Sequence, residues 1–312
     1  MLSTPPVGRF APSPTGRMHL GNVFTALISW LSVKSRGGRW ILRIEDLDTQ
    51  RSRMEYAKQI EEDLLWLGLE WDEGGLDDKG ANGPYSQSRR SEIYSQYLAK
   101  LSGHTYPCFC KRGDIMATQA PHQSDGRIIY SGKCRPDSFP APEATSPHST
   151  RIVVPDRYIH FTDRMYGEQR INLAQECGDF VVRRADGAFG YQLAVVIDDA
   201  LMGVTEVVRG SDLLLSAAQQ IYIYELLGFA APEFAHVPLL FSPESDRRLS
   251  KRDASLSMEA LRKNYSAEEL IGMLANIAGL RSTPTPVSAN ELLEDFDFGL
   301  IHRAEHLRAP YV

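Results

Sequence analysis

Val7-Gly8-Arg9-Phe10-Ala11-Pro12-Ser13-Pro14-Thr15-Gly16-Arg17-Met18-His19-Leu20-Gly21-Asn22 passes from a short apolar run into a loop of small residues and prolines. The run, residues 7–11, has strand length, and the prolines stop it. From Asn22 onward Val23, Leu27 and Leu31 recur at i, i+4 and i+8, the spacing of one helix face. Gly37 and Gly38 end that helix, and residues 40–44 form a second apolar run of strand length. The first fifty residues thus predict a strand, a loop, a helix and a strand of a nucleotide-binding sheet. A further helix is expected over residues 54–67, with Ile60, Leu64 and Leu67 on one face.

The loop carries the first chemistry. Backbone N–H groups before a helix N-terminus, together with the positive end of its dipole, suit phosphate oxygens. His19 can donate to a phosphate as charge moves onto it, and Gly21 would let a nucleotide approach the backbone. Taken alone, His-x-Gly is a weak signal, and a structural loop is the better reading of it.

Composition bounds the answer. The chain has 312 residues, of which 43% are hydrophobic and 24% charged, which is a globular rather than a disordered composition. It shows no secretory leader and no run near the roughly 18 apolar residues of a membrane helix, so a cytoplasmic place and no membrane partner are expected. A net charge of -6 argues against indiscriminate nucleic-acid binding, because phosphate neutralisation needs clustered Lys and Arg. One local cluster exists, at Arg247, Arg248, Lys251 and Arg252. Four cysteines, three of them between Cys108 and Cys134, are too few for a secreted disulfide framework and leave a metal site or free thiols.

Further along, residues 103–147 are rich in Cys, Pro, Ser and His without helical periodicity, and end near a Pro/Ser-rich stretch at 140–149. Strand-like segments return at 180–183 and 193–197, and a helix is expected over 213–227. No internal repeat is present. The division expected is a first half-domain at 1–102, an insertion at 103–178, a second half-domain at 179–255 and a short helical tail at 256–312. In the 59 residues after Asp253, Leu256, Leu261, Leu270, Ile271, Leu274 and Ile277 are helically spaced. They suffice for a few helices docked on the body, below the ~100 residues typical of a separate domain, so no anticodon-binding domain is expected.

Arg247-Arg248-Leu249-Ser250-Lys251-Arg252-Asp253 is a polar loop whose lysine can neutralise charge developing on a leaving pyrophosphate. The two loops, in this order and separated by a whole sheet, resemble the two signatures of class I aminoacyl-tRNA synthetases. Arg43-Ile44-Glu45-Asp46-Leu47-Asp48 and Gly203-Val204-Thr205-Glu206-Val207-Val208-Arg209-Gly210 resemble the glutamate and glutamine branch of that class. The resemblance covers about Gly8 to Asp253. It implies an α/β fold: a Rossmann-like parallel-sheet catalytic domain with a zinc-containing insertion and a short C-terminal helical region.

The resemblance also implies an ATP-dependent ligase using Mg²⁺, with His19 and Lys251 as catalytic residues. Thr15, His19, Gly21, Asn22, Ser250 and Lys251 would bind ATP. Glutamate presents an α-ammonium and a γ-carboxylate, so a selective pocket needs an acidic group for the first and a guanidinium, preferably bidentate, for the second. By resemblance Glu45 would hold the ammonium, Arg9 and Arg209 would flank the carboxylates, and Tyr191 would hydrogen-bond the amino acid, with Phe10, Ala11, Pro12 and Ser13 lining the pocket. Outside their motifs Glu45 would read as a surface ion pair with Arg43 or Arg9, and Tyr191 as a core aromatic.

Cys108-Phe109-Cys110 and Tyr130-Ser131-Gly132-Lys133-Cys134 supply three thiolates, which suit a soft divalent ion and leave one tetrahedral position for His104, His122 or Tyr130. The Cys-x-Cys and Tyr-x3-Cys pattern resembles the zinc site of glutamyl-queuosine tRNA(Asp) synthetases, and on that resemblance Tyr130 is the fourth ligand of one structural Zn²⁺. The stretch 116–125 is longer than that family usually carries, and Cys177 reads as a free thiol. What the resemblance implies is a monomer that activates L-glutamate with ATP without tRNA and passes it to the queuosine base of tRNA(Asp). Two rivals are a truncated glutamyl-tRNA synthetase charging tRNA(Glu) and a non-catalytic RNA- or adenylate-binding regulator.

Overall fold

Residues 7–10 (β1, Val7–Phe10) and 39–42 (β2, Arg39–Leu42) pair in parallel, Val7 opposite Arg39 and Phe10 opposite Leu42, and the helix Leu20–Lys34 joins them. The computed structural model describes residues 4–111, 129–141, 144–242, 256–304 and 306–309. The helix lies tight on the sheet at Gly8, where a Cβ would come within 2.4 Å of Val33 Cγ2. Trp40, fully buried, donates its indole N–H to Ser29 Oγ at 2.9 Å, fixing the same face from below.

The remaining strands are β3 (Glu73–Gly74), β4 (Thr105–Cys108), β5 (Ser149–Ile152), β6 (Tyr158–Asp163), β7 (Gly167–Asn172), β8 (Phe180–Arg183), β9 (Glu206–Gly210), β10 (Glu233–Val237), β11 (Leu239–Phe241) and β12 (His306–Arg308). Seven form one sheet in the order β3-β2-β1-β9-β10-β6-β7, parallel throughout except for β7, which returns antiparallel on β6. The order runs outward from β1 in both directions, so a crevice opens beyond the carboxyl ends of β1 and β9, the place where open α/β sheets bind ligands. The fold is α/β with a mainly parallel sheet.

The strands of the 103–178 span divide between two sheets. β5 pairs antiparallel with β4 on one side and with β8 on the other in a small separate sheet, while β6 and β7 extend the large one. One hydrophobic core lies between the large sheet, the first helix and the C-terminal helices Met258–Asn264 and Ala267–Ala278; Leu261, Leu270, Ile271 and Leu274 are buried in it. The tail leucines therefore belong to the catalytic body. A second core gathers the helices Ser91–Lys100, Tyr191–Leu201 and Leu214–Leu227 against the small sheet.

One sequence expectation is corrected. Residues 193–197 are not a strand but the middle of the helix Tyr191–Leu201, every one of them buried. A helix buried on most sides shows the unbroken β-branched run of an interior strand, and period alone does not separate the two. Among the described residues no helix is long and apolar enough to cross a membrane.

Candidate active site

The crevice beyond β1 and β9 is a cleft of about 430 Å³. Its walls include Arg9, Phe10, Ala11, Pro12 and Ser13 from β1 and its loop, and Thr15, His19, Gly21 and Asn22 from the loop and first helix turn. Glu45 enters from beyond β2, Tyr191 from a helix start and Arg209 from the end of β9. Every residue expected to bind glutamate or ATP, among those described, thus faces one cavity. Ser250 and Lys251, and with them the Arg247–Arg252 cluster, lie outside the described residues.

Arg9 is 3% exposed, and its Nε alone is held, at 3.3 and 3.4 Å from the two oxygens of Asp199. Neither of its terminal nitrogens has a partner among the described residues, so this guanidinium offers its fork to the cleft. Asp199 also accepts from Arg43 Nη1 at 2.6 Å, and Arg43 Nη2 donates to Glu45 at 3.1 Å. Behind them Asp198 accepts from Arg90 Nε at 2.6 Å, Gln87 at 2.8 Å and the Tyr94 hydroxyl at 2.9 Å. Burial works against the Arg43 charge, but Asp199, Asp198 and Glu45 outweigh it and raise its pKa. Burial raises the Glu45 carboxyl despite Arg43 and Arg9, whereas for Asp199 the same two arginines overcome burial and lower it. Glu45 does pair with Arg43, but it is buried at the cleft wall, not at the surface.

Arg209, 4% exposed, is held by three neutral acceptors: His236 Nε2 at 3.0 Å from Nε, Gln220 Oε1 at 2.7 Å from Nη1 and the Leu213 carbonyl at 3.3 Å from Nη2. A guanidinium has five N–H groups. Three are used, and one remains on each terminal nitrogen, the pair that a carboxylate takes bidentately. No carboxylate among the described residues lies in ion-pair reach of Arg209, and burial lowers its pKa. Tyr191, half-buried at its helix start, lines the cleft with it.

His19 is the N-cap of the helix Leu20–Lys34. Its Nδ1 accepts from the Gly21 N–H at 3.1 Å, and the Asn22 side chain returns the bond by accepting from the His19 N–H at 3.1 Å. An accepting Nδ1 puts the proton of the neutral ring on Nε2, the donor a phosphate would need. A Cβ on Gly21 would stand 3.0 Å from His19 Cε1, so the glycine makes room for the histidine's own ring.

Away from the cleft, the Sγ atoms of Cys108, Cys110 and Cys134 lie within 4.8 Å of one another. The Tyr130 hydroxyl is 3.4 Å from Cys108 Sγ and 3.7 Å from Cys110 Sγ, and Cys110 and Cys134 are 3.5 Å apart. Tetrahedral zinc, with Zn–S about 2.3 Å and Zn–O about 2.0 Å, separates its ligands by roughly 3.5 to 3.8 Å. The four donors fit such an ion. His104 is exposed on a short turn and does not join the group, and His122 lies outside the described residues. Burial opposes ionisation of Cys134, but hydrogen bonds from Tyr130 and the Phe109 backbone overcome it and lower the thiol to about 7. Arg151 donates to Cys108 Sγ at 3.3 Å and lies 3.8 Å over the Tyr130 ring, a cation placed beside an anionic ligand set. Cys177 stands apart from this group, its thiol pushed by burial up to about 12.

Sequence reasoning passed over Asp198, Asp199, Arg90, His236 and Asp163. The signal for the first two was present: adjacent aspartates closing an apolar run are costly in a core unless paired.

A capped helix N-terminus and the guanidiniums of Arg9 and Arg209 thus surround one crevice at the switch point of a mainly parallel α/β sheet. The model of tRNA synthetases class I (E and Q), catalytic domain, matches residues 7–298, and the chain belongs to that family, whose members are ATP-dependent ligases. It is 49% identical over 313 residues to the "Glutamyl-Q tRNA(Asp) synthetase" of Symbiobacterium thermophilum, covering 97% of this chain and 95% of that protein. To the "Glutamate--tRNA ligase" of a Sulfurihydrogenibium species it is 42% identical, covering 92% of this chain and 62% of the other. The crystal structure of a glutamate tRNA ligase from Elizabethkingia meningosepticum, in complex with its amino acid, superposes with a TM-score of 0.82 at 32% identity, over 98% of this chain and 67% of that one.

Proposed function

We propose that the protein activates L-glutamate with ATP, without tRNA, and transfers it to the queuosine base in the anticodon of tRNA(Asp). The observation that carries the glutamate reading is the pair of unfilled guanidinium forks, on Arg9 and Arg209, in one cleft with the Glu45 carboxylate. Two carboxylates and one ammonium are the complement of that set. The acceptor reading is supported by 49% identity to a relative named Glutamyl-Q tRNA(Asp) synthetase, against 42% to one named Glutamate--tRNA ligase, and by the Tyr130 cluster.

Chemically, a glutamate α-carboxylate oxygen attacks the α-phosphorus of ATP, the bond to the bridging oxygen breaks, and pyrophosphate leaves. His19 Nε2–H donates to the phosphate as charge builds, and Lys251 meets the pyrophosphate. Mg²⁺ accompanies ATP and supplies further charge neutralisation. Thr15, Gly21, Asn22 and Ser250 hold the nucleotide. Catalysis is positioning and electrostatics, and losing one such donor typically costs about 3 to 4 kcal/mol of barrier. A queuosine cyclopentene hydroxyl then attacks the mixed anhydride, its proton is released and AMP departs. Cys108, Cys110, Tyr130 and Cys134 would hold a zinc, whose role would be to brace the insertion, because four protein ligands leave no open position. The protein acts as a monomer in the cytoplasm.

Glutamate-dependent ATP/pyrophosphate exchange without tRNA tests the first step. Labelled glutamate is then offered to tRNA(Glu), to queuosine-containing tRNA(Asp) and to tRNA(Asp) lacking queuosine. Exchange without tRNA and label on the queuosine form alone are expected. Label on tRNA(Glu) would make the protein a glutamyl-tRNA synthetase, and no exchange under any condition would leave the non-catalytic regulator.

A further inference from the structure

Two buried groups beside the cleft have no part in the reaction as derived so far. Asp163 ends β6, and His236 stands on β10 directly opposite Arg209 of β9. His236 is 0% exposed and Asp163 1%. The imidazole bridges them: Nδ1 lies 2.6 Å from Asp163 Oδ2, and Nε2 lies 3.0 Å from Arg209 Nε. Arg209 has only N–H groups to offer, so Nε2 must be the bare nitrogen and Nδ1 must carry the proton. Asp163, an acceptor only, permits that tautomer and no other. Burial lowers the His236 pKa, which keeps the ring neutral.

The consequence falls on Arg209. With Nε tied to His236, the plane of the guanidinium is set, and Gln220 and Leu213 take one proton from each end. One proton is left over on each terminal nitrogen. We propose that Asp163 and His236 are positioning residues that aim the Arg209 fork at a substrate carboxylate, through the tautomer that Asp163 imposes on the ring. This rests on the glutamate reading above and deepens it.

Asp163→Asn provides a nearly isosteric test. Asp163 Oδ1 already accepts from the Met165 and Tyr166 N–H groups at 2.9 and 3.0 Å. In the variant the amide oxygen keeps that place and the 3.3 Å bond from the His236 backbone N–H, so the NH₂ faces His236 Nδ1 and gives up the 3.1 Å bond that Oδ2 accepts from the same N–H. The ring must then accept there and carry its proton on Nε2, donor against donor with Arg209.

The experiment measures ATP/pyrophosphate exchange with glutamate and ATP varied separately, for the native protein and for Asp163→Asn, His236→Leu and His236→Gln, with thermal melts to confirm folding. ¹⁵N spectra of the histidine rings in the native protein read the tautomer directly. The expected result is a glutamate KM raised about ten-fold or more in Asp163→Asn and His236→Leu, as losing a charged hydrogen bond implies. The ATP KM stays near native, and His236→Gln, whose amide oxygen can accept from Arg209, recovers most of the loss. Native spectra should show a protonated Nδ1. A folded Asp163→Asn with native glutamate KM, a uniform fall in kcat with both KM values unchanged, or a native Nε2–H would overturn the proposal. Native protein without glutamate-dependent exchange would overturn the glutamate reading itself. Native activity that is lost in Arg209→Lys but kept in Asp163→Asn would sink only the positioning role.

Discussion

Arg9 meets Asp199 through its Nε alone, at 3.3 and 3.4 Å, so the residue that neutralises the guanidinium leaves its two terminal nitrogens for the cleft. Asp199 also anchors the fully buried Arg43. Asp199→Ala therefore removes the carboxylate that Arg9 pairs with and leaves the buried Arg43 with Glu45 and Asp198 alone, and removing one partner of such a network costs about 3 to 5 kcal/mol. A denaturant melt should register that loss, and an unchanged midpoint would show that the network carries no stability.

Glu45 gives a pH signature. Burial raises its pKa, so its neutral form persists to higher pH than for an ordinary glutamate. The substrate ammonium needs the ionised form. Glutamate KM should rise as pH falls, beginning above the usual carboxylate range, while the ATP KM stays flat. In Glu45→Gln the pH dependence should vanish at a uniformly high KM; a Glu45→Gln profile that still tracks pH would assign the titration elsewhere.

Arg9→Lys and Arg209→Lys keep a positive charge and lose the fork. Since a lysine is a point donor and cannot reproduce bidentate geometry, each should lower kcat/KM for glutamate about ten- to a hundred-fold, in line with the roughly 1.5 to 3 kcal/mol of hydrogen bonds to charged groups. Near-native kinetics in either lysine variant would show that charge, not geometry, selects the substrate.

The proposed metal site can be tested apart from catalysis. Cys108→Ser and Tyr130→Phe should each lose bound zinc, measured by elemental analysis of purified protein, and chelation should lower the melting temperature of the native chain. Full zinc occupancy in Tyr130→Phe would remove the phenol from the ligand set.

Packing predicts one stability effect far from the chemistry. Gly8→Ala places a methyl 2.4 Å from Val33 Cγ2, a stiff β-branched group on a helix. Overpacking of this kind costs typically 1 to 3 kcal/mol. Val33→Ala in the same chain should restore most of the loss, and failure to do so would place the strain elsewhere on β1.

Much of this was legible in the chain. The opening strand, helix and strand could be read because their apolar period and their Pro and Gly stops are local properties. The loop motifs could be read as sequence, and the family resemblance singled out Arg9, Glu45 and Arg209, which the fold brings to the wall of one cleft. The helix at 191–201 was misread, since Leu193 to Ile197 are buried on several sides and burial erases the polar stripe that marks a helical period. The insertion's thiols were visible, and spacing left three candidates for a fourth donor; of these the Tyr130 hydroxyl stands 3.4 Å from Cys108, His104 is exposed on its turn and His122 lies outside the described residues.

By itself the sequence determined which functional groups this protein owns: a loop of small residues before a helix, the guanidiniums of Arg9 and Arg209, the Glu45 carboxylate, and three thiols with a phenol. Only tertiary structure decided how each is held. Asp199 and Arg9 are separated by 190 positions, and His236 reaches Arg209 because β9 and β10 lie side by side. Which nitrogens of an arginine remain free, and which nitrogen of a histidine carries the proton, depend on partners distant in the chain. Those choices belong to the low-dielectric interior that folding creates, where leaving a donor without an acceptor is costly.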